Sequence, residues 1–260
     1  MASNKIMANE TKTGFMVMGR KQSMLQTNHE IRVGKAKIKE EQEQKFLGVI
    51  ITSDLKWTRH VSAQNEKLLH RLYLLRHLKH LLPRTALDIV AKGLFMLQIN
   101  YCISLYTRIT LSDCKAWTST HQKLQTAPNQ MTRLLNNIKI KDKVNMEKLR
   151  TSQGILSINQ IACKSTATEM RKCILHDSLP HLQIELSKDK KERKMMTRAD
   201  TANCIQTPKI HKSMTKDSFS FQGPRIWNNL PTHLKDLNIT DDTFKRNLRK
   251  WLLSNDSWIK

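Results

Sequence analysis

At 260 residues the chain is long enough to bury a real core, and its length suits one domain or two. Hydrophobic content of 39% with only 7 Gly and 6 Pro argues against a turn-rich β architecture and for a mostly helical one. A formal net charge of +23 is far beyond what solubility requires and attracts polyanions, with nucleic acid the first candidate.

The first 55 residues carry β signals. Gly14-Phe-Met-Val-Met-Gly19 is a short apolar run closed by glycine, as a buried strand would be. Glu30-Ile-Arg-Val33 and Ala36-Lys-Ile-Lys39 place alternating apolar residues on either side of Gly34-Lys35, which predicts a hairpin. Phe46 to Thr52, rich in β-branched residues, adds another strand.

From Trp57 to Leu82 the pattern becomes helical. Val61, Leu68, Leu75 and Leu82 recur every seventh residue, with Leu72 on the same face. Ser53 and Asp54 suit the start of this helix and Pro83 its end. Around the apolar stripe lie Lys56, Arg59, Lys67, Arg71, Arg76 and Lys79, with Glu66 as the only acid and His60, His70, His77 and His80 interspersed. So few compensating acids favour contact with phosphates, where lysine and arginine position a backbone without reading bases.

A second helix, about Thr85 to Thr107, is apolar through Ile89, Val90, Leu94, Phe95, Leu97, Tyr101 and Leu105 and is expected in the core. Trp117 to Asn137 is weakly periodic and broken by Pro128. Asn145 to His176 holds two short helical segments around a turn at Gly154, with Met146, Leu149, Ile155, Leu156, Ile158 and Ile161 as core. Ser187 to Lys216 is charged and polar and predicts a mobile basic linker. Order returns at Ser218, where Gly223 and Pro224 make a turn and Ile226, Trp227 and Leu230 form an apolar anchor. Phe244, Leu248, Trp251 and Leu252 mark one face of a terminal helix, and Thr240, Asp241 and Asp242 suit its first turn.

The longest apolar stretch, Gly93 to Tyr106, is short for a span and is interrupted by Gln98 and Asn100, so no membrane partner is expected. Met1-Ala-Ser-Asn-Lys5 lacks the apolar core of a secretory signal, which points to nucleus or cytoplasm. Five cysteines, odd in number and without a Cys-x-x-Cys pair, argue against a disulfide scaffold. Cys173, His176 and His181 lie close in sequence, with Cys163 or Cys204 as a further thiol, but their spacing matches no zinc module; no metal ligands are assigned.

Several segments, in order, resemble the reverse transcriptases of non-LTR (LINE, jockey-like) retrotransposons. Asn9-Glu-Thr-Lys-Thr13 followed by Phe15-Met-Val-Met-Gly19 is similar to the element and strand that come after the catalytic aspartates of that family. Phe46-Leu47-Gly48 resembles its primer grip, and Leu75-Arg-His-Leu-Lys79 and Asn100-Tyr101-Cys102 resemble its thumb helices. Gln122-Lys-Leu-Gln125 is similar to the segment after the thumb, and Phe221-Gln-Gly-Pro-Arg-Ile-Trp-Asn-Asn-Leu-Pro231 to a C-terminal signature. The resemblance covers about residues 5–253. The chain departs from the family at Leu97-Gln98-Ile99, where relatives carry Leu-Pro-His, and at Pro128.

The resemblance implies a mainly α protein with a small N-terminal antiparallel β region, an α+β fragment of a polymerase right hand. Its expected parts are a palm-end β region with a primer-grip-like hairpin at 1–55, a helical thumb-like domain at 56–137 and a helical connector at 138–186. A basic flexible linker at 187–216 and a C-terminal helical extension at 217–260 complete it. Residues expected to grip nucleic acid are Lys12, Phe46, Leu47 and Gly48 by resemblance, and Lys67, Arg71, Arg76 and Lys79 from the helix charge. Lys12 matches the lysine that helps pyrophosphate leave in that family. No catalytic residue is assigned, because the aspartates that hold two metals lie ahead of the resembling region; Mg2+ is implied only for an intact polymerase, and this chain is expected to be inactive alone. Thr240-Asp-Asp-Thr243 is similar to the family's Ala-Asp-Asp motif but follows the grip instead of preceding it, so it reads as a helix cap. The implied partners are RNA and RNA–DNA duplex, with the missing polymerase half as another. The alternative is a non-enzymatic RNA- or protein-binding remnant of a mobile element.

Overall fold

The computed structural model describes residues 9, 12–18, 30–34, 36–107, 119–176, 204–208 and 218–255. It is mainly helical with a small antiparallel β region near the N-terminus, and it divides into two compact units, Met1–Ala63 and Gln64–Lys260.

In the first unit, β1 (Ile31–Val33) and β2 (Ala36–Ile38) pair antiparallel with Ile31 opposite Ile38, turning at Gly34 as the alternation predicts. A second two-stranded sheet joins β3 (Glu43–Phe46) to β4 (Val49–Thr52), with Phe46 opposite Val49. The run read as one strand from Phe46 to Thr52 is therefore split at Leu47-Gly48. Both residues have positive φ, 46° and 85°, which makes a type I′ turn whose twist matches the strands it joins. Glycine adopts that backbone freely; leucine does so at a steric cost. The run from Gly14 contributes an isolated bridge, not a strand: Phe15 lies parallel to Glu40, and its carbonyl accepts from the Glu41 N–H at 2.8 Å. The segment beside it, between β2 and β3, is too short to offer more.

Helix α1 (Thr58–Leu78) follows. The residues expected to cap it do something else: Asp54 Oδ1 accepts from the Thr52 hydroxyl at 2.7 Å and from the Lys56 N–H at 3.2 Å, closing the turn ahead of the helix. These bonds, that from Thr52 foremost, hold the Asp54 carboxyl down at about 2. Val61, Leu68, Leu72 and Leu75 are buried, as the seven-residue spacing requires. Pro83 does not end α1 but caps the start of α2 (Arg84–Asn100), where a fixed φ suits the entry.

The second unit is built from helices. Gln98 donates to Gln64, and Arg71 to the Leu94 carbonyl, so α1 and α2 run antiparallel. Leu87, Ala91, Phe95 and Ile99 bury one face of α2, whereas Ile89 and Leu97, expected in the core, are 73% and 75% exposed. A four-residue spacing buries a single stripe, so an apolar composition all round does not make the whole helix core. Nor does α2 run to Thr107. It stops at Tyr101-Cys102, where Cys102 takes φ of 53°, and a single turn α3 (Ile103–Tyr106) follows. The Tyr106 hydroxyl donates back to the Ile99 carbonyl at 3.1 Å.

Helix α4 (Ser119–Leu135) passes through Pro128 unbroken, because Leu124, Ala127, Met131 and Leu135 bury a continuous face on both sides of it. Asn145 caps α5 (Met146–Ser152), its Oδ1 accepting from the Glu147 and Lys148 N–H groups at 3.0 and 3.1 Å. The second of the two segments expected around Gly154 is not short: α6 (Ile158–His176) packs against α3, α7 and α8 and forms the middle of the unit. Ile155, Leu156, Ile158 and Ile161 are buried; Met146 and Leu149 are half-buried.

The predicted turn at Gly223-Pro224 is instead the interior of helix α7 (Phe219–Asn229). A Cβ on Gly223 would lie 2.7 Å from Met170 Sδ, so glycine is what lets α7 approach α6. Trp227 and Ile226 are fully buried beneath it. Of the expected linker only 204–208 falls within the described residues, and there Ile205 is buried, with both its N–H and its C=O bonded to the Asn228 amide at 2.8 Å. Helix α8 (Asp241–Ser254) buries Phe244, Leu248 and Leu252 and is capped by Thr240, whose hydroxyl accepts from the Thr243 N–H.

Candidate nucleic-acid interface

Phe46, Leu47 and Gly48 form the tip of the β3–β4 hairpin, with Phe46 64% and Leu47 75% exposed. An isolated two-stranded hairpin is marginal in water, so something must hold it. The register supplies the answer. Phe46 and Val49 close the two-residue turn, which turns the N–H of Ile50 away from β3 toward the open edge. That N–H donates to Nδ1 of His60, a fully buried imidazole in the first turn of α1, at 3.2 Å. An exposed ion pair from Arg59 Nε to Glu43 Oε2, 3.2 Å, adds little.

His60→Ala removes the only acceptor shown for this edge donor and is expected to destabilise the hairpin by about 1–3 kcal/mol. His60→Asn, whose amide oxygen reaches the same position, should recover most of that. Hydrogen exchange at Val49 to Thr52 measures it, and equal exchange in the alanine variant and the parent would contradict this account.

Lys12 is exposed and sits in a turn of its own, in which Asn9 C=O accepts from the Lys12 N–H at 3.1 Å and from the Thr13 hydroxyl at 2.7 Å.

The four cations chosen on the basic helix do not share one face. At roughly 100° per residue, Lys67 and Arg71 lie on one flank of the buried Leu68-Leu72-Leu75 stripe and Arg76 on the other, with Lys67 and Arg76 roughly 180° apart, while Lys79 falls in line with the stripe, one turn beyond Leu75. Lys79 is in the turn just beyond α1. Arg71 is half-buried and its guanidinium already donates to the Leu94 carbonyl. The outermost face carries Glu66, His70, Tyr73 and His77, and the Tyr73 and His77 rings meet edge-on with centroids 4.5 Å apart.

The acidic pair does not fit a two-metal centre. Asp241 Oδ1 accepts from Nε of Arg171 at 3.1 Å, and Asp242, 97% exposed, pairs with Lys245 at 3.5 Å. Among the described residues no three His, Cys, Asp or Glu side chains come together. Cys163 and Cys173 are buried ten positions apart on α6, which separates them by roughly 15 Å along the axis. Burial pushes the Cys163 thiol up, away from thiolate chemistry. His181 and Cys114 lie outside the described residues.

Sequence reasoning missed Arg171. Its guanidinium is 99% buried, and it donates to the carbonyls of Asp236 at 2.8 Å, Leu237 at 3.2 Å and Ile239, besides the Asp241 carboxylate. Its Cζ also stands 5.0 Å from the centroid of Phe244. The one available signal was its place between Met170 and Cys173, both core positions.

Comparison of the chain with known protein families, with curated proteins and with solved structures finds no match in any of the three. No helix among the described residues is long and apolar enough to cross a membrane.

Proposed function

We propose that the chain is the palm-end and thumb portion of a non-LTR retrotransposon reverse transcriptase, and that its own chemistry is an electrostatic grip on template and primer. What supports this most is the Phe46-Leu47-Gly48 tip, an exposed type I′ hairpin whose second strand leads within a few residues into a long basic helix. In this reading lysine and arginine hold the phosphate backbone without reading bases, and the exposed Phe46 ring offers a stacking face. The helix stop at Tyr101-Cys102 falls within Asn100-Tyr101-Cys102, a second segment on which the resemblance rests.

The purified chain should bind primed RNA without sequence preference, with an affinity that falls steeply as salt rises because each phosphate contact releases counterions. Given deoxynucleotides with Mg2+ or Mn2+ it should extend no primer above a blank. Extension that tracks the protein peak would refute the catalytic half of the reading; absence of salt-sensitive binding would refute the grip.

A further inference from the structure

The seam between α6 and α8 gathers positive charge that no acid fully answers. Arg171 meets Asp241 at one end of it, and Gln160 Nε2 donates to the Leu252 carbonyl at 2.7 Å near the other. The two helices therefore run antiparallel, and their register sets Lys164 of α6 level with Leu248 of α8, between Lys245 and Arg249. Lys164 is half-buried, and among the described residues its ammonium has neither an ion-pair nor a hydrogen-bond partner. Burial first, then the charges of Arg249 and Lys245, hold its pKa below the usual lysine range. Arg249 is steadied by one bond, Nη2 to the Gly154 carbonyl at 2.8 Å, which leaves its other N–H groups for a further acceptor. Lys245 has Asp242 as its acid, a highly exposed carboxylate at 3.5 Å that is screened by water.

We propose that the seam of Lys164, Lys245 and Arg249 binds the phosphates of a nucleic-acid strand, as a second anchor remote in sequence from the basic helix α1. This rests on the reading of the chain as a nucleic-acid binder. Three cations in a row, one desolvated and unanswered, gain most from a strongly charged anion; Arg249 offers phosphate a bidentate fork, and Lys245 and Arg249, one turn apart, are spaced at roughly 6 Å. A lipid surface fits less well, because α8 turns Phe244, Leu248 and Leu252 inward and keeps no broad apolar face to insert. An acidic protein would need apolar anchors around the charges, and the α6 neighbours here, Ser165 and Thr168, are polar.

The test compares the full chain with Lys164→Met, Lys245→Gln and their double variant, and with an α1 variant carrying Gln at Lys67, Arg76 and Lys79. The probe is fluorescent oligouridine titrated across salt, with phosphatidylserine vesicles and polyglutamate as parallel arms. The double variant should bind oligouridine roughly tenfold more weakly at low salt, with the salt slope reduced by about two. Lys164→Met alone should raise Tm near neutral pH, since it removes a charge that folding penalises. That gain should vanish as pH approaches the ordinary lysine value of about 10.4, where the parent ammonium is lost in the unfolded state too. A rise in Tm with a loss of affinity separates binding from folding. If the double variant binds oligouridine like the parent while the α1 variant does not, the seam falls and the wider reading stands. If only the double variant loses binding, the seam stands and the α1 grip falls. If the parent binds no oligouridine, or if the vesicle or polyglutamate arm depends on the seam more than oligouridine does, the proposal is overturned.

Discussion

Replacing Arg171 with Ala is expected to destabilise the second unit by about 3–5 kcal/mol, because it removes a buried donor that several loop carbonyls share and empties the space that its side chain fills. The guanidinium satisfies the carbonyls of Asp236, Leu237 and Ile239 in the loop that delivers the chain to α8, and its partner Asp241 opens that helix. Without it three carbonyls lose their donors and the space against Phe244 empties. Thermal unfolding should move down by roughly 10 °C for a unit of this size. Asp241→Asn is the contrasting variant: its Oδ1 remains an acceptor for Arg171 Nε, but the buried guanidinium loses its carboxylate, so the cost should be about 1–3 kcal/mol, held below that of Arg171→Ala by the carbonyls that still accept from it. If Arg171→Ala unfolded within a degree or so of the parent, the idea that this one side chain pins α6 to the start of α8 would fail.

Changing Lys67, Arg71, Arg76 and Lys79 together to Gln is expected to weaken binding to every nucleic-acid sequence alike and to flatten the salt slope. The geometry adds a finer expectation. Because Lys67 and Arg76 lie on opposite flanks of α1, one strand cannot follow all four cations. The two flanks should therefore be unequal: Gln at Arg76 should lower the slope by about one, or Gln at Lys67 and Arg71 should lower it by about two, but not both. Arg71→Gln alone should register first in Tm, since the guanidinium bonds the Leu94 carbonyl between helices. Quantitative titration at matched salt decides the matter, and a quadruple variant that binds as tightly as the parent would leave α1 an ordinary solvated helix.

Local chemistry was legible in the residues themselves. The seven-residue spacing of Val61, Leu68 and Leu75 marked the buried stripe of α1, the alternation around Gly34-Lys35 marked the first hairpin, and the hydroxyl of Thr240 marked the start of α8. Each depends on neighbours within a turn or two, where propensity and periodicity act directly. Breakers misled at Pro128 and Gly223-Pro224, because a proline or glycine weakens a helix locally but burial of Met131 and Leu135, or of Ile226 and Trp227, outweighs that cost once the unit packs.

The candidate site divides the same way. The tip at Phe46-Leu47-Gly48 and the cations of α1 could be named from sequence. Their arrangement on opposite flanks also follows from helical geometry, once Leu68, Leu72 and Leu75 are known to be buried. The support of the tip by His60 and the clamp of Arg171 could not be read. Nor could the meeting of Lys164 with Lys245 and Arg249, because it brings together residues some eighty positions apart. Residue identity determined the basic, apolar-striped helix α1, where the charge lies and the turn at Gly34, because each is set by neighbours within a turn or two. Tertiary structure alone decided which apolar faces stay in water and which cations share a surface, because both depend on a helix register set by long-range hydrogen bonds such as Arg171 to Asp241 and Gln160 to Leu252.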